Sequence, residues 1–355
     1  MPFMTATELK PYPFTNMAAT PLFPVRTIGP LFESTRFKDT KDPCIAFDGT
    51  TWHIYGSGGD VRSEEWQILH ATAPTIEGPW TEQEPAVLRG VEGPHVAAPS
   101  VIYDFDDKLF HMAVQKDFMS IGGGIAYLVS ADGHIFTKMR TLVEPKGMSE
   151  AGLYDPQFAQ IKGKKYLVYS GIPALLSYDH PFIPQPDVYL ARSVTDRWVG
   201  YWKRMKRVLA HDDIAWHHNR LGHPDYEWGI EGPQIVELPD GKILLNATCF
   251  LEEGRRGTRQ RVFFAHADDV KGPYTSIGPV LLPPDTGWES GENGHASLWV
   301  EHGCLYLFYQ ARSKDEPNPH DNNWRYGIAV YSLEDIRTAR EQAEKRDEAL
   351  EASGA

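Results

Sequence analysis

Residues 155–169 read DPQFAQIKGKKYLVY, which combines a short apolar strand, a turn at Lys162-Gly163-Lys164 and an aromatic-rich second strand. Short strands bounded by Gly or Asp turns are typical of an antiparallel meander. Similar units open at four other places in the chain, roughly 55 to 75 residues apart. Their opening residues are Asp42-Pro43, Ala98-Pro99, Glu231-Gly232-Pro233 and Gly294-His295. The chain therefore contains five comparable strand units.

Five repeated sheets arranged radially form a β-propeller. We therefore expect an all-β fold, with a five-bladed β-propeller over residues 36–332. Residues 1–35 lack a clear period and are predicted to form an N-terminal arm. Alternating charges predict a solvated helix in the C-terminal tail, 333–355. In a propeller the first strand of every blade lines the central channel, so opening residues from different blades meet at one mouth.

The composition narrows the classes of partner. The formal net charge of -13 argues against nucleic acid or an anionic membrane surface, because both need clustered Lys and Arg. The aromatic content of 12% provides many rings for contact with planar or sugar-like faces, and a neutral polyol or sugar stays compatible as the partner. No apolar run is long enough to span a bilayer, so a cytoplasmic protein is expected. The three cysteines are predicted to be free thiols, and an oligomer stays open.

Three of the openings carry a carboxylate: Asp42, Asp155 and Glu231. Any one of them can be explained as a turn acid or a strand cap. Burial of an unpaired carboxylate is costly, however, so three carboxylates in similar places favour a functional site. Cleavage of a glycosidic bond needs one acid to protonate the leaving oxygen and one carboxylate to activate water or attack the sugar. A third acid nearby can raise the pKa of the proton donor.

The chain resembles the five-bladed propeller glycosidases of glycoside hydrolase family 43 and the related families 117, 62 and 32. The resemblance covers roughly residues 38 to 332 and depends on an ordered set of motifs. These are Lys41-Asp42-Pro43, Tyr154-Asp155-Pro156-Gln157-Phe158, Ile230-Glu231-Gly232-Pro233 and Gly294-His295. The resemblance implies an inverting mechanism in which Asp42 is the general base, Asp155 the pKa modulator and orienter, and Glu231 the general acid.

The resemblance also implies a role for His295. Its position matches a channel histidine that binds a central metal in the family, commonly calcium, or an ordered water. A structural, hydrogen-bonded histidine is the other interpretation. In the second blade the family often has Trp-Ala-Pro-Glu, whereas this chain has Ala97-Ala98-Pro99-Ser100. This departure affects the substrate assignment more than the mechanism.

Other residues are predicted to contact substrate near the mouth. The candidates with rings are Trp66, Phe118, Trp228 and Trp288, although aromatic residues in propeller strands are more often core. Arg312 is a candidate to bind a sugar hydroxyl or to pair with a carboxylate. Trp216-His217-His218 and His223 match no common zinc spacing, so His218 is assigned to a substrate-contacting loop. A histidine as the acid is an alternative, because family 117 uses one.

These observations, together with the resemblance, predict a glycosidase that removes terminal sugars from an oligosaccharide substrate, by resemblance an arabinofuranosidase or xylosidase. Three alternatives stay open. They are a family 117-like α-galactosidase acting on neoagaro-oligosaccharides, a propeller glycoside phosphorylase, and a propeller that binds carbohydrate without turnover.

Overall fold

The computed structural model describes residues 22–60, 65–91, 96–116, 124–144, 150–173, 186–210, 229–250, 260–315 and 323–353. Its elements are β1 (Arg26–Ile28), β2 (Asp39–Phe47), β3 (Trp52–Asp60), β4 (Glu65–Ala73), β5 (Thr81–Glu82), β6 (Val87–Arg89), β7 (Ala97–Asp104), β8 (Leu109–Lys116), β9 (Gly124–Ser130), β10 (Ile135–Val143), β11 (Glu150–Ile161), β12 (Lys164–Pro173), β13 (Asp187–Ser193), β14 (Trp202–Leu209), β15 (Glu231–Glu237), β16 (Ile243–Phe250), β17 (Gln260–Ala267), β18 (Thr275–Pro279), β19 (Glu292–Glu301), β20 (Cys304–Arg312), β21 (Arg325–Ser332) and α1 (Leu333–Ser353).

These strands form five sheets, which confirms the predicted five-bladed propeller. Blade one contains β2 to β5, blade two β6 to β10, blade three β11 to β14 and blade four β15 to β18. Neighbouring strands pair antiparallel, except that β6 pairs parallel with β10 at the outer edge of blade two. Blade five contains β19, β20 and β21, and its outermost strand is β1 from the N-terminal part of the chain.

The core is divided among the five junctions between blades. Each of five buried clusters joins residues of two neighbouring blades. Each sheet therefore has apolar side chains on both faces, which explains the nearly continuous apolar runs of the inner strands. The three cysteines are free, as predicted. Cys44 and Cys249 are also buried within these clusters, as expected of all three, whereas Cys304 is half-buried.

The two ends of the chain are more closely joined to the propeller than the sequence predicted. The predicted arm contains β1, which pairs with β21, while residues 1–21 lie outside the described part. The helix α1 is not purely solvated, because Ile336, Ala339 and Ala343 pack into the cluster between blades four and five. The division at residues 35 and 332 stays a prediction. No helix in the described ranges is long and apolar enough to cross a membrane.

The first strand of every blade contains a β-bulge at the opening seen in the sequence. The pairing of the first two strands shifts between Lys41 and Cys44 in blade one and at the corresponding point of the other four. The first bulge residue has a left-handed backbone in all five blades. These residues are Asp42, Ala98, Asp155, Gly232 and His295, with φ of 54°, 50°, 48°, 58° and 34°.

The bulge explains the proline signature. A bulge leaves a residue out of the ladder, so a proline, which has no N–H, is tolerated there. The second bulge residue is Pro43, Pro99, Pro156 and Pro233 in blades one to four, and Ala296 in blade five. The structure corrects one detail of the repeat: the residue equivalent to Asp42 and Asp155 in blade four is Gly232, and Glu231 stands one residue earlier.

Candidate active site

Hydrogen bonds between blades hold the five bulges around the channel. The N–H of the left-handed residue donates to a side chain on the second strand of the preceding blade. The four such bonds are Asp42 to Gln310 (2.7 Å), Ala98 to Ser57 (2.7 Å), Asp155 to Gln115 (3.1 Å) and His295 to Thr248 (2.7 Å). The backbone of these four bulges is thereby fixed by the blade before each of them.

The junction between blades three and four departs from this pattern. The equivalent acceptor is Ser170, which pairs with Tyr154 in the ladder, but its buried Oγ has no hydrogen-bond partner among the described residues. The N–H of Gly232 donates instead to Asp155 Oδ2 at 3.0 Å. Residue 232 has a left-handed backbone, and a Cβ there would lie 3.1 Å from His295 Cγ. Glycine suits this position because it adopts a positive φ easily and leaves room for the imidazole. The departure orients the Asp155 carboxylate.

Four of the predicted residues meet at the mouth of the channel. His295 Nδ1 lies 2.6 Å from Asp42 Oδ1, and His295 Nε2 lies 2.9 Å from Glu231 Oε1 and 3.7 Å from Asp155 Oδ2. The side chains of all four are largely buried. One imidazole therefore contacts carboxylates that come from blades one, three and four.

The two contacts of the imidazole also limit the distance between the proposed base and the proposed acid. Because Asp42 and Glu231 contact opposite ring nitrogens, their nearest oxygens are separated by about 8 Å at most, compatible with the roughly 6.5–9.5 Å of inverting glycosidases. A separation far beyond that range would have excluded the assignment.

The pKa values of Asp42 and Asp155 are shifted in opposite directions. Burial raises the pKa of Asp42, but the adjacent His295, together with Lys41 and the Ser57 hydroxyl, outweighs burial and lowers it to about 2. Burial and the neighbouring Glu231 and Asp42 raise the pKa of Asp155 to about 7, against the opposing effect of His295. Asp42 is therefore a carboxylate at neutral pH, whereas Asp155 holds a proton below about pH 7.

His295 is the positive group of the cluster. Its burial lowers the pKa, but the charges of Asp155, Asp42 and Glu231 outweigh burial and raise it well above the ordinary value. An imidazolium has two N–H donors, and here each nitrogen already faces a carboxylate. The protonated ring compensates the charge of the surrounding acids.

The residues around His295 fit a calcium ion poorly. Asp155, Glu231 and His295 offer three donor atoms within 4.8 Å of one another, but one donor is an imidazole and both of its nitrogens contact carboxylates. Calcium takes six to eight oxygen ligands at about 2.3–2.6 Å. The channel cavity beside His295, which Gln157 and Gly232 also line, measures about 10 Å³, the space of one water. The acid and base groups available at this site are therefore the protein's own side chains.

Above the four residues lies a cavity of about 120 Å³, roughly the size of one sugar ring. The predicted Trp66 lines it. Four further lining residues were not predicted as contacts, namely Lys41, Ala97, Gln115 and Tyr154. Lys41 and Tyr154 directly precede Asp42 and Asp155 in the sequence, so their position in the motif was an available signal.

The remaining predicted contacts do not line this cavity or cannot be placed. Arg312 forms an ion pair with Glu292 at 2.7 Å and lies over the ring of Trp324, so the pairing interpretation is confirmed. Trp288 is half-buried, packs against the cluster between blades four and five and stacks on Tyr309. Phe118, Trp216, His217, His218, His223 and Trp228 lie outside the described residues.

Comparison with known proteins adds a fold relationship. No family model matches the chain. No curated protein matches it either. Among solved structures, an α-L-arabinofuranosidase from Podospora anserina in complex with cellotriose is similar, with 16% identity over 88% of this chain and 95% of that chain and a TM-score of 0.61.

Two further structures show the same relationship. A thermostable family-43 glycoside hydrolase has 16% identity over 82% of this chain and 88% of that chain, with a TM-score of 0.58. An α-L-arabinanase of Cellvibrio cellulosa complexed with arabinohexaose has 16% identity over 82% of this chain and 91% of that chain, with a TM-score of 0.55. The chain thus has the five-bladed propeller fold of these glycoside hydrolases, as the sequence motifs implied.

Proposed function

We propose that this protein is a glycoside hydrolase that removes terminal sugars from oligosaccharides with inversion at the anomeric carbon. The observation that carries the proposal is the convergence of Asp42, Asp155, Glu231 and His295, from four blades, beneath a cavity for one sugar ring. The similar arabinofuranosidase and arabinanase support an arabinofuranoside as the first substrate class to test, and the sequence resemblance adds a xyloside.

The chemistry divides between two carboxyl groups. Asp42, held ionised, accepts a proton from a water as the water oxygen attacks the anomeric carbon. The acid acts in the form of the site in which Glu231 holds a proton: the glycosidic C–O bond breaks, and the leaving oxygen takes that proton. Asp155 lies beside both groups with a raised pKa and orients the acid, while His295 keeps the cluster from accumulating negative charge.

The first experiment measures hydrolysis of nitrophenyl pentosides and hexosides by the wild type and by Asp42→Asn and Glu231→Gln. Loss of either group should reduce kcat by about 10²–10⁴-fold. Asp106→Asn and Glu348→Gln are matched controls, because these carboxylates are exposed and distant from the cavity. Unchanged rates in both site variants, or no turnover of any glycoside by the wild type, would contradict the proposal and favour a binding propeller.

The leaving group distinguishes the acid from the base. A dinitrophenyl leaving group needs no protonation, so Glu231→Gln should recover most of its rate on that substrate, whereas Asp42→Asn should not, because the attacking water still needs its base. The opposite pattern would exchange the two roles. NMR of the first-formed anomer tests inversion, and a dependence of turnover on phosphate would instead indicate a glycoside phosphorylase.

A further inference from the structure

A second, larger cavity lies on the outer edge of blade three. It measures about 470 Å³ and is lined by residues 192–194 of the β13 end and 203–206 of β14. Ser193 pairs with Trp202, at the end of the β13–β14 hairpin opposite to the end where Asp187 pairs with Gly171. Asp155 lies near the latter end, so the cavity is remote from the four residues of the proposed active site.

The lining of this cavity, called the blade-three groove below, is strongly basic in an acidic protein. The whole chain has a formal net charge of -13, but the lining residues of the groove include Arg192, Lys203, Arg204 and Lys206 and no acid. Lys203 and Lys206 are exposed, and neither has an ion-pair partner within the described ranges. Arg192 lies 3.2 Å from Asp196, and Arg204 donates to the carbonyl of Glu144.

Apolar side chains are exposed at the closed end of the same hairpin. Tyr201 is 70% exposed, and Val194 and Val199 are exposed as well. The N–H of Val194 donates to the carbonyl of Tyr201, so the two residues face each other across the turn. An exposed ring next to several cations is a surface on which a sugar face can stack while its charged substituent is paired.

Protection of a sheet edge is the simplest alternative. Lysines on an outer strand prevent pairing with another chain, and β14 is the outer strand of blade three. That role explains charged residues on the strand. It requires neither a cavity of this size nor an exposed tyrosine beside it.

We propose that the blade-three groove is a secondary binding site for a carboxylated polysaccharide, that is, a polymer containing uronic acid residues. The choice of a carbohydrate rests on the proposed glycosidase function. The choice of an anion follows from Lys203 and Lys206, the two exposed ammonium groups of the groove, since an ammonium group pairs with a carboxylate through charge-assisted hydrogen bonds. Binding there holds the polymer on the enzyme without occupying the acid cavity.

The experiment uses affinity electrophoresis of the full chain in gels containing polygalacturonate, with neutral dextran as the baseline. Lys203→Glu/Lys206→Glu should bind polygalacturonate at least about tenfold more weakly than the wild type, and salt should weaken wild-type binding. Lys108→Glu/Lys345→Glu is the matched control, because it changes the net charge equally at exposed lysines on blade two and on α1. The control should bind like the wild type.

Three results would overturn the proposal. They are wild-type affinity in Lys203→Glu/Lys206→Glu, an equal loss in the control variant, and retardation by dextran sulfate without retardation by polygalacturonate. Melting temperature and hydrolysis of a small nitrophenyl glycoside are measured on the same variants and should not change. A groove variant that loses polymer binding while keeping the small-substrate rate separates this inference from the proposed active site, which is tested by Asp42→Asn and Glu231→Gln.

Discussion

At the scale of single residues, the backbone explains why Asp and His occupy the bulges. Asp42, Asp155 and His295 have positive φ, which Asp and His tolerate better than most residues other than glycine. The left-handed residue directs its side chain to the channel, where the three groups meet. Glu231 reaches the same place from an ordinary position one residue before the bulge.

Ser57 contacts both the Asp42 carboxylate and the bulge of blade two. Its hydroxyl donates to Asp42 Oδ2 at 2.6 Å and accepts the N–H of Ala98 at 2.7 Å. Ser57→Ala should raise the pKa of Asp42, because a hydrogen bond to the ionised form is lost. The acidic limb of kcat/KM should therefore move to higher pH, measured from about pH 3 to 8. The unpaired N–H of Ala98 should also lower the free energy of unfolding by about 1–3 kcal/mol.

The same substitution predicts a pH dependence of stability. The pKa of Asp42 in the folded protein is about 2, below its ordinary value near 3.8, so its stabilising effect is present above pH 3.8 and is lost as the pH falls towards 2. Ser57→Ala should make this loss of stability at low pH smaller. Ser297→Ala is the control, since Ser297 accepts the N–H of Ile45 but has no bond to Asp42. An acidic limb that moves equally in both variants would contradict the role of Ser57.

At the scale of elements, a second set of hydrogen bonds joins the first strands of neighbouring blades. In four blades the side chain just after the bulge accepts an N–H of the next blade, as in Phe158 to Ser100 (2.8 Å) and Val101 to Cys44 Sγ (3.1 Å). Gln157 is the equivalent residue in blade three, and its buried Oε1 has no hydrogen-bond partner in the described part of the chain. The hydrogen bonds from the left-handed bulge residues and this second set are therefore both incomplete at the junction of blades three and four.

Because the junctions differ in their hydrogen bonds, replacing serine by alanine should have unequal effects on stability at two of them. Ser100→Ala should lower the free energy of unfolding by about 1–3 kcal/mol, because the N–H of Phe158 loses its buried acceptor. Ser170→Ala, also at a buried position, removes a hydroxyl that satisfies no described group and should cost under about 0.5 kcal/mol or stabilise the fold. Denaturant unfolding of both variants provides the measurement. A larger loss in Ser170→Ala would show that its hydroxyl has an essential partner.

The elements were largely predictable from local pattern, and the bulges were not. Turn residues and apolar runs indicated the five units around Asp42, Ala98, Asp155, Glu231 and Gly294, since strand signals are local. The bulge depends on pairing between two strands, so the motif alone placed Glu231 in register with Asp155 although it stands one residue earlier.

At the scale of the whole molecule, the ring is joined by segments from both ends of the chain. β1 completes blade five beside β21, and Val25 N–H donates to the carbonyl of Val330 at 2.7 Å. Arg26 donates to Glu77 of blade one at 3.0 Å. The N-terminal segment thus contacts the two blades that close the propeller.

The closure can be tested at one exposed residue. Val25→Pro removes the N–H that bonds Val330, whereas Val25→Ala keeps it and removes only an exposed side chain. The proline variant should lose about 1 kcal/mol or more of stability relative to the alanine variant. Thermal melting measures the difference. Equal melting temperatures would mean that this strand contributes little to the closure.

The amino-acid sequence by itself determined the five strand units, their propeller arrangement and the candidate acids, because turns, apolar periods and carboxylates at strand openings are local signals. Only the tertiary structure decided that His295 contacts both Asp42 and Glu231. It also placed Trp66 in the cavity and assigned Arg312 to an ion pair. The physical reason is the bonding between blades, which joins groups as distant as Asp42 and Gln310, 268 residues apart, and leaves no trace in local sequence.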